Sequence, residues 1–114
     1  MSKVTIYHNP KCSKSRQTLA LIQNKGIEPE IKAYLDNPPS TNELHAIAEK
    51  LGLRPKDFIR KKEEGFKALD LDLEDDAALY AAIHKYPKIL ERPIVIHGDR
   101  AVLGRPPENI EQLF

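Results

Sequence analysis

The chain has 114 residues, 31% of them charged, and a formal net charge of +1, which suits one domain with its own core and argues against a surface made to coat a polyanion. No apolar run approaches the roughly 20 residues of a membrane span and no signal peptide is recognisable, so a soluble, cytoplasmic protein with no membrane contact is expected. The single cysteine, Cys12, excludes an internal disulfide and fits a reducing compartment.

VTIYH (4–8) alternates and is rich in β-formers, which predicts a strand with Val4, Ile6 and His8 on one face. SKSRQTLALIQNKG (13–26) lacks proline, spaces Leu19 and Ile22 as a helix does, and ends in Lys25-Gly26, a helix stop. EIKAYL (30–35) predicts a second strand, and two strands joined through one helix form a parallel β-α-β unit. After NPPS, Ser40 and Glu43 are spaced as a capping box that opens a helix to about Leu51.

PKDFI (55–59) predicts a short helix, and RKKEEG (60–65) a polar loop. The acidic run DLDLEDD (70–76) leads into a helix over 77–86, with its acids at the positive end and read as a solvated cap. RPIVIH (92–97), a Gly98-Asp99 turn and RAVLG (100–104) predict a β-hairpin, and PPENIEQLF closes the chain as a short helix. The order is that of an α/β, thioredoxin-like fold, β-α-β … β-β-α, in a single domain spanning 1–114. Its helical insertion covers about 40–86, and no linker marks a second domain.

Cys12 falls between the first strand and the first helix. A helix N-terminus there, with Lys11, Lys14 and Arg16 nearby and no acid before Glu28, favours thiolate over thiol. His8 could add a hydrogen bond or, if protonated, a charge. A buried, inert thiol is the plainer alternative. Ser15 gives C-x-x-S in place of C-x-x-C, so its hydroxyl can hydrogen-bond a thiolate but cannot close a disulfide. It is equally compatible with an ordinary first-turn serine.

Arg60, Arg92 and Arg105 form a second candidate set, because a planar guanidinium suits bidentate capture of a tetrahedral oxyanion. Any one of them taken alone reads as a solvated surface residue. Pro93, before the third strand, stands where a thioredoxin-like fold carries a cis proline.

Taken together, IYHNPKCSKSRQTL, FIRKKE, ERPIVI and LGRPPE, in that order along essentially the whole chain, resemble the glutathione/glutaredoxin-coupled arsenate reductases of the ArsC family. The motif set is nearest a short subfamily related to the Spx regulators. The resemblance implies Cys12 as catalytic nucleophile, supported by His8 and Ser15. It implies Arg60, Arg92 and Arg105 as the arsenate-binding residues and Pro93 as the cis proline. It also implies glutathione as co-substrate and glutaredoxin as partner; no bound cofactor is expected, and a monomer is expected. Glutathione would resolve the Cys12 adduct to arsenite and a mixed disulfide that glutaredoxin clears; with one cysteine, the resolving thiol has to be external.

Two other readings compete. An Spx-like, non-catalytic regulator would bind RNA polymerase, but such proteins use a C-x-x-C switch that Ser15 removes. A monothiol glutaredoxin also uses C-x-x-S, but with glycine and phenylalanine where this chain has Ser13 and Lys14. His45, His84 and His97 lack metal-ligand spacing, so no metal is expected. RKK (60–62) has no interleaved aromatics, so no nucleic acid is expected either.

Overall fold

Val4–Tyr7 (β1) is an interior strand, and the chain is built outward from it. The computed structural model describes residues 3–63 and 65–114, so Glu64 of the expected polar loop lies outside the described residues. β1 pairs parallel with Glu30–Lys32 (β2), Thr5 facing Glu30 and Tyr7 facing Lys32. On its other side it pairs antiparallel with Ile94–His97 (β3), Val4 facing His97 and Tyr7 facing Ile94. β3 pairs antiparallel with Arg100–Leu103 (β4), so the sheet order is β2-β1-β3-β4. Neighbours on both edges pair the backbone of β1 on each side, and side chains on both of its faces are buried. Tyr7 is buried like Val4 and Ile6, although alternation puts it on the opposite face.

Helix α1 (Ser13–Asn24) connects the parallel pair. It buries Ser15, Thr18 and Ile22, a helical spacing, and Ile22 joins Val4, Ile6, Val95, Ile110 and Leu113 in one core cluster. Leu19, Leu21, Ile27 and Val102 pack against that cluster. Ile110 and Leu113 come from the C-terminal segment Pro107–Leu113, which is a 3₁₀ helix. That segment is held to the hairpin by polar contacts: His97 Nδ1 lies 2.8 Å from the Leu113 carbonyl oxygen, and Arg100 Nη2 donates to the Gln112 carbonyl at 2.7 Å. The fold is thioredoxin-like: β-α-β, then a helical segment in chain order, then β-β and a closing helix.

Two predicted elements are shorter than expected. β2 stops at Lys32 because the backbone turns at once: Tyr34 N–H donates back to Lys32 O, and Asp36 and Asn37 N–H groups to Ala33 O. Tyr34 is then buried from the turn, with 1% exposed. The third strand starts at Ile94, two residues after Arg92.

The chain divides into two compact units, residues 1–37 with 92–114, and Pro38–Glu91. The second contains α2 (Thr41–Leu51) and α3 (Asp76–Lys85), and the helical insertion expected at about 40–86 falls inside it. α2 starts as the capping signal predicts, Ser40 Oγ accepting the Glu43 N–H at 3.1 Å, and stops at Gly52, where φ is +68° and glycine is favoured. Asp75 caps α3 by accepting from Ala78 N–H. Leu44, Ile47, Phe58, Leu79, Ile83, Ile89 and Leu90 are its fully buried apolar residues.

The acidic run is more than a solvated cap. Arg54 donates to Glu74 Oε2 at 2.8 Å and to Asp76 Oδ1 at 2.9 Å, and Lys56 reaches Glu74 Oε1 at 3.1 Å. The hydrogen bonds from Lys56 and Arg54 hold the Glu74 carboxyl below the usual carboxylate range. These groups are exposed, so the cluster orients the loop more than it stabilises the unit. Among the described residues, no helix is long and apolar enough to cross a membrane.

Candidate active site

The loop from β1 into α1 is wound around Asn9. Its side-chain oxygen accepts the Lys11 N–H at 3.0 Å, and its carbonyl accepts the Cys12 N–H at 3.0 Å. Its own N–H donates to Ser15 Oγ at 3.0 Å. Arg16 Nη1 closes the outside of the loop by donating to the Pro10 carbonyl at 2.8 Å. Cys12 is thereby held as the N-cap of α1 in an extended conformation (φ −97°, ψ 123°), while its carbonyl already accepts the Arg16 N–H. Its side chain makes no capping hydrogen bond. The sulfur therefore stays at the positive end of the helix dipole without being consumed by the cap.

Behind it, His8 Nδ1 and Ser15 Oγ are 2.6 Å apart, with Ser15 fully buried and His8 nearly so. Burial, and then the charge of Arg16, push the His8 imidazolium down from its ordinary range. Both effects work against the positive charge that a protonated His8 would lend. The Ser15 hydroxyl is engaged by His8 and by the Asn9 N–H. The pair braces the loop from within.

A cation does face the sulfur, but it comes from the far end of the chain. Arg105, just past β4, places Nη1 3.9 Å from Cys12 Sγ and 3.4 Å from the Arg92 carbonyl oxygen. Arg92 lies immediately before Pro93, and both Arg92-Pro93 and Arg105-Pro106 are cis; the first matches expectation and the second was not anticipated. Nε and Nη1 of Arg92 are buried and have no hydrogen-bond partner among the described residues. Buried donors are normally satisfied, and a guanidinium has donors only, so the group that fits them is an acceptor, best an anion.

Arg60 belongs to the other unit. There its Nη1 pairs with the Glu63 carboxylate and its N–H donates to Ile89 O. Lys11, Lys14 and Arg16 are exposed. The other histidines have structural partners: His45 pairs with Glu49, His84 with the Pro39 carbonyl and His97 with the Leu113 carbonyl. Asn9 is the site residue that sequence reasoning passed over, and the Asn-Pro step in HNPKC was its visible turn signal.

Comparison with known proteins gives a consistent picture. Residues 7–113 match the model of the ArsC family. A protein named arsenate reductase from Haemophilus influenzae is 51% identical over 114 residues, covering 97% of this chain and 98% of the relative. One of the same name from Neisseria meningitidis serogroup B is 46% identical over the full length of both chains. Among solved structures, an arsenate reductase from Vibrio cholerae superposes with a TM-score of 0.93 at 47% identity, covering 99% of this chain and 98% of the other.

Proposed function

The chain belongs to the ArsC family, and from that premise we propose that it is a cytoplasmic, monomeric arsenate reductase that uses Cys12 as nucleophile and external glutathione and glutaredoxin as reductants. The observation that carries the reading is Arg92, whose buried Nε and Nη1 have no partner among the described residues and whose carbonyl is joined to the arginine that faces Cys12. An arsenate dianion offers acceptor oxygens to such donors, and its charge is offset by Arg92, Arg105 and the N-terminus of α1.

Held there, arsenic would align with Cys12 Sγ, and positioning supplies much of the rate. Attack by the sulfur of Cys12 on arsenic forms an S–As bond. One arsenate oxygen departs as water, carrying the thiol proton and the proton already on the arsenate. The sulfur of glutathione then attacks Cys12 Sγ. The electrons of the S–As bond return to arsenic, which leaves as arsenite and takes up the glutathione proton. Cys12 remains as a mixed disulfide with glutathione, and a glutaredoxin thiolate removes the glutathionyl group. His8 and Ser15 keep the loop, and with it the sulfur, in place through this cycle. The family resemblance also gives Arg60 an anion-binding role, which a raised arsenate KM in Arg60→Ala would bear out.

The test is arsenate-dependent oxidation of NADPH with glutathione, glutaredoxin and glutathione reductase supplied, and arsenite measured as product. Turnover is expected to require all three and to vanish in Cys12→Ser. A protein that makes no arsenite, or makes it equally without glutaredoxin, would overturn the assignment.

A further inference from the structure

Gly104 stands where β4 ends and Arg105 begins, and it has no room for a side chain. A Cβ built there would lie 2.7 Å from Cγ of Pro93, 2.8 Å from Oγ1 of Thr18 and 3.0 Å from its Cγ2. Its backbone is bonded to both neighbours: the N–H donates to the Pro93 carbonyl at 2.8 Å, and the carbonyl accepts from Thr18 Oγ1 at 3.2 Å. Thr18 is fully buried on α1, the helix that Cys12 caps, and its hydroxyl also reaches the Lys14 carbonyl at 2.8 Å. Three segments therefore meet at one residue: the cysteine helix, the Arg92-Pro93 junction and the start of the Arg105 segment.

We propose that Gly104, latched by Thr18, is a positioning residue that sets the distance between Cys12 and the two arginines. The inference rests on the oxyanion-binding reading of Arg92 and Arg105. Real Cβ atoms essentially never show contacts below 3.0 Å, and here they fall on a proline ring and a buried β-branched side chain. An added methyl is accommodated only by moving β4's end away from α1. Arg105 follows directly and Arg92 is bonded through Pro93, so both guanidinium groups shift relative to the sulfur. A displacement near 1 Å at a reacting site costs on the order of a hundredfold in rate.

Gly104→Ala is expected to fold, with far-ultraviolet circular dichroism like wild type, yet to lose at least about tenfold in kcat/KM for arsenate. Protection of Cys12 from iodoacetamide by sulfate should weaken in parallel. Adding Thr18→Ala removes one of the two atoms closer than 3.0 Å, together with the Cγ2 at 3.0 Å, and should recover part of both losses, a rescue that a merely structural glycine would not give. Should Gly104→Ala fail to fold, Thr18→Val, which keeps the shape and deletes the latch, is expected to raise the arsenate KM several-fold more than it lowers kcat. Wild-type kinetics and sulfate protection in folded Gly104→Ala, or in Thr18→Val, overturn the proposal. A wild-type chain that neither turns over arsenate nor is protected by sulfate overturns the oxyanion reading itself, which separates the two failures.

Discussion

His8 Nδ1 lies 2.6 Å from Ser15 Oγ, and the same oxygen accepts the Asn9 N–H, so one buried hydroxyl ties the end of β1 to the first turn of α1. Removing it leaves a buried imidazole nitrogen and a backbone N–H without their partner. Ser15→Ala is expected to destabilise the fold by roughly 1–3 kcal/mol, the cost of such orphaned groups. Urea denaturation measures it; an unchanged midpoint would show that water or a rotated His8 replaces the hydroxyl without loss.

Stability should also depend on pH through His8. Burial and Arg16 hold its folded-state titration below that of the unfolded chain, whose histidine titrates near about 6.5. Below that value the unfolded chain binds the proton more readily than the folded one. The stability is therefore complete above about pH 6.5 and lost as pH falls toward the depressed folded value. His8→Gln should flatten that part of the profile, and Arg16→Ala should raise the His8 midpoint seen by NMR. A stability profile of the same slope with and without His8 would refute this account.

The local parts of this molecule were legible in its sequence because local chemistry decides them. Ser40 with Glu43 announces α2, Gly52 ends it, and alternation marks β1. Chain reversal at Ala33, which cuts β2 short, left no such mark, because Ala33, Tyr34 and Leu35 read as strand residues until Tyr34 finds its buried place. At the site, Cys12 could be placed at a helix start from pattern alone. Which cations face it could not: Lys11 and Lys14 are neighbours in sequence, yet Arg105 is the one 3.9 Å from the sulfur, across 93 positions of chain. The lowered titration of His8 and the crowding at Gly104 are likewise tertiary effects, set by burial and by approach of distant segments.

The capping residue of α2 offers a check on the second unit alone. Ser40 is exposed, and its hydroxyl accepts one N–H of the first turn. Ser40→Ala should cost about 1 kcal/mol, and Ser40→Asp should restore it, since a carboxylate caps as well and suits the helix dipole. Thermal denaturation of the three proteins decides it. Equal stability of Ala and Ser at this position would mean that solvent satisfies the first turn.

The arginines give the sharpest separation between an enzyme and a thiol protein that only shares its fold. Arg92 has buried donors with no acceptor among the described residues, and Arg105 faces the sulfur. Each Arg→Ala change should remove charge-assisted hydrogen bonds to the oxyanion worth roughly 1.5–3 kcal/mol, about ten- to a hundredfold in kcat/KM. Arg→Lys should recover only part of this, because an ammonium keeps the charge and loses the planar fork. At Arg92 the shortfall of lysine should be larger, since two separate donors, Nε and Nη1, are presented there. Cys12→Ser should abolish turnover and still bind arsenate or sulfate, because the arginines remain. Arg100, whose side chain holds the Gln112 carbonyl, and Arg54, clamped to Glu74 and Asp76, serve as controls: their alanine variants should leave the arsenate KM near wild type. If Arg92→Ala and Arg105→Ala behave like Arg100→Ala in a working assay, the anion does not bind at these guanidinium groups. If Cys12→Ser loses arsenate binding along with turnover, the sulfur rather than the arginines is what holds the substrate.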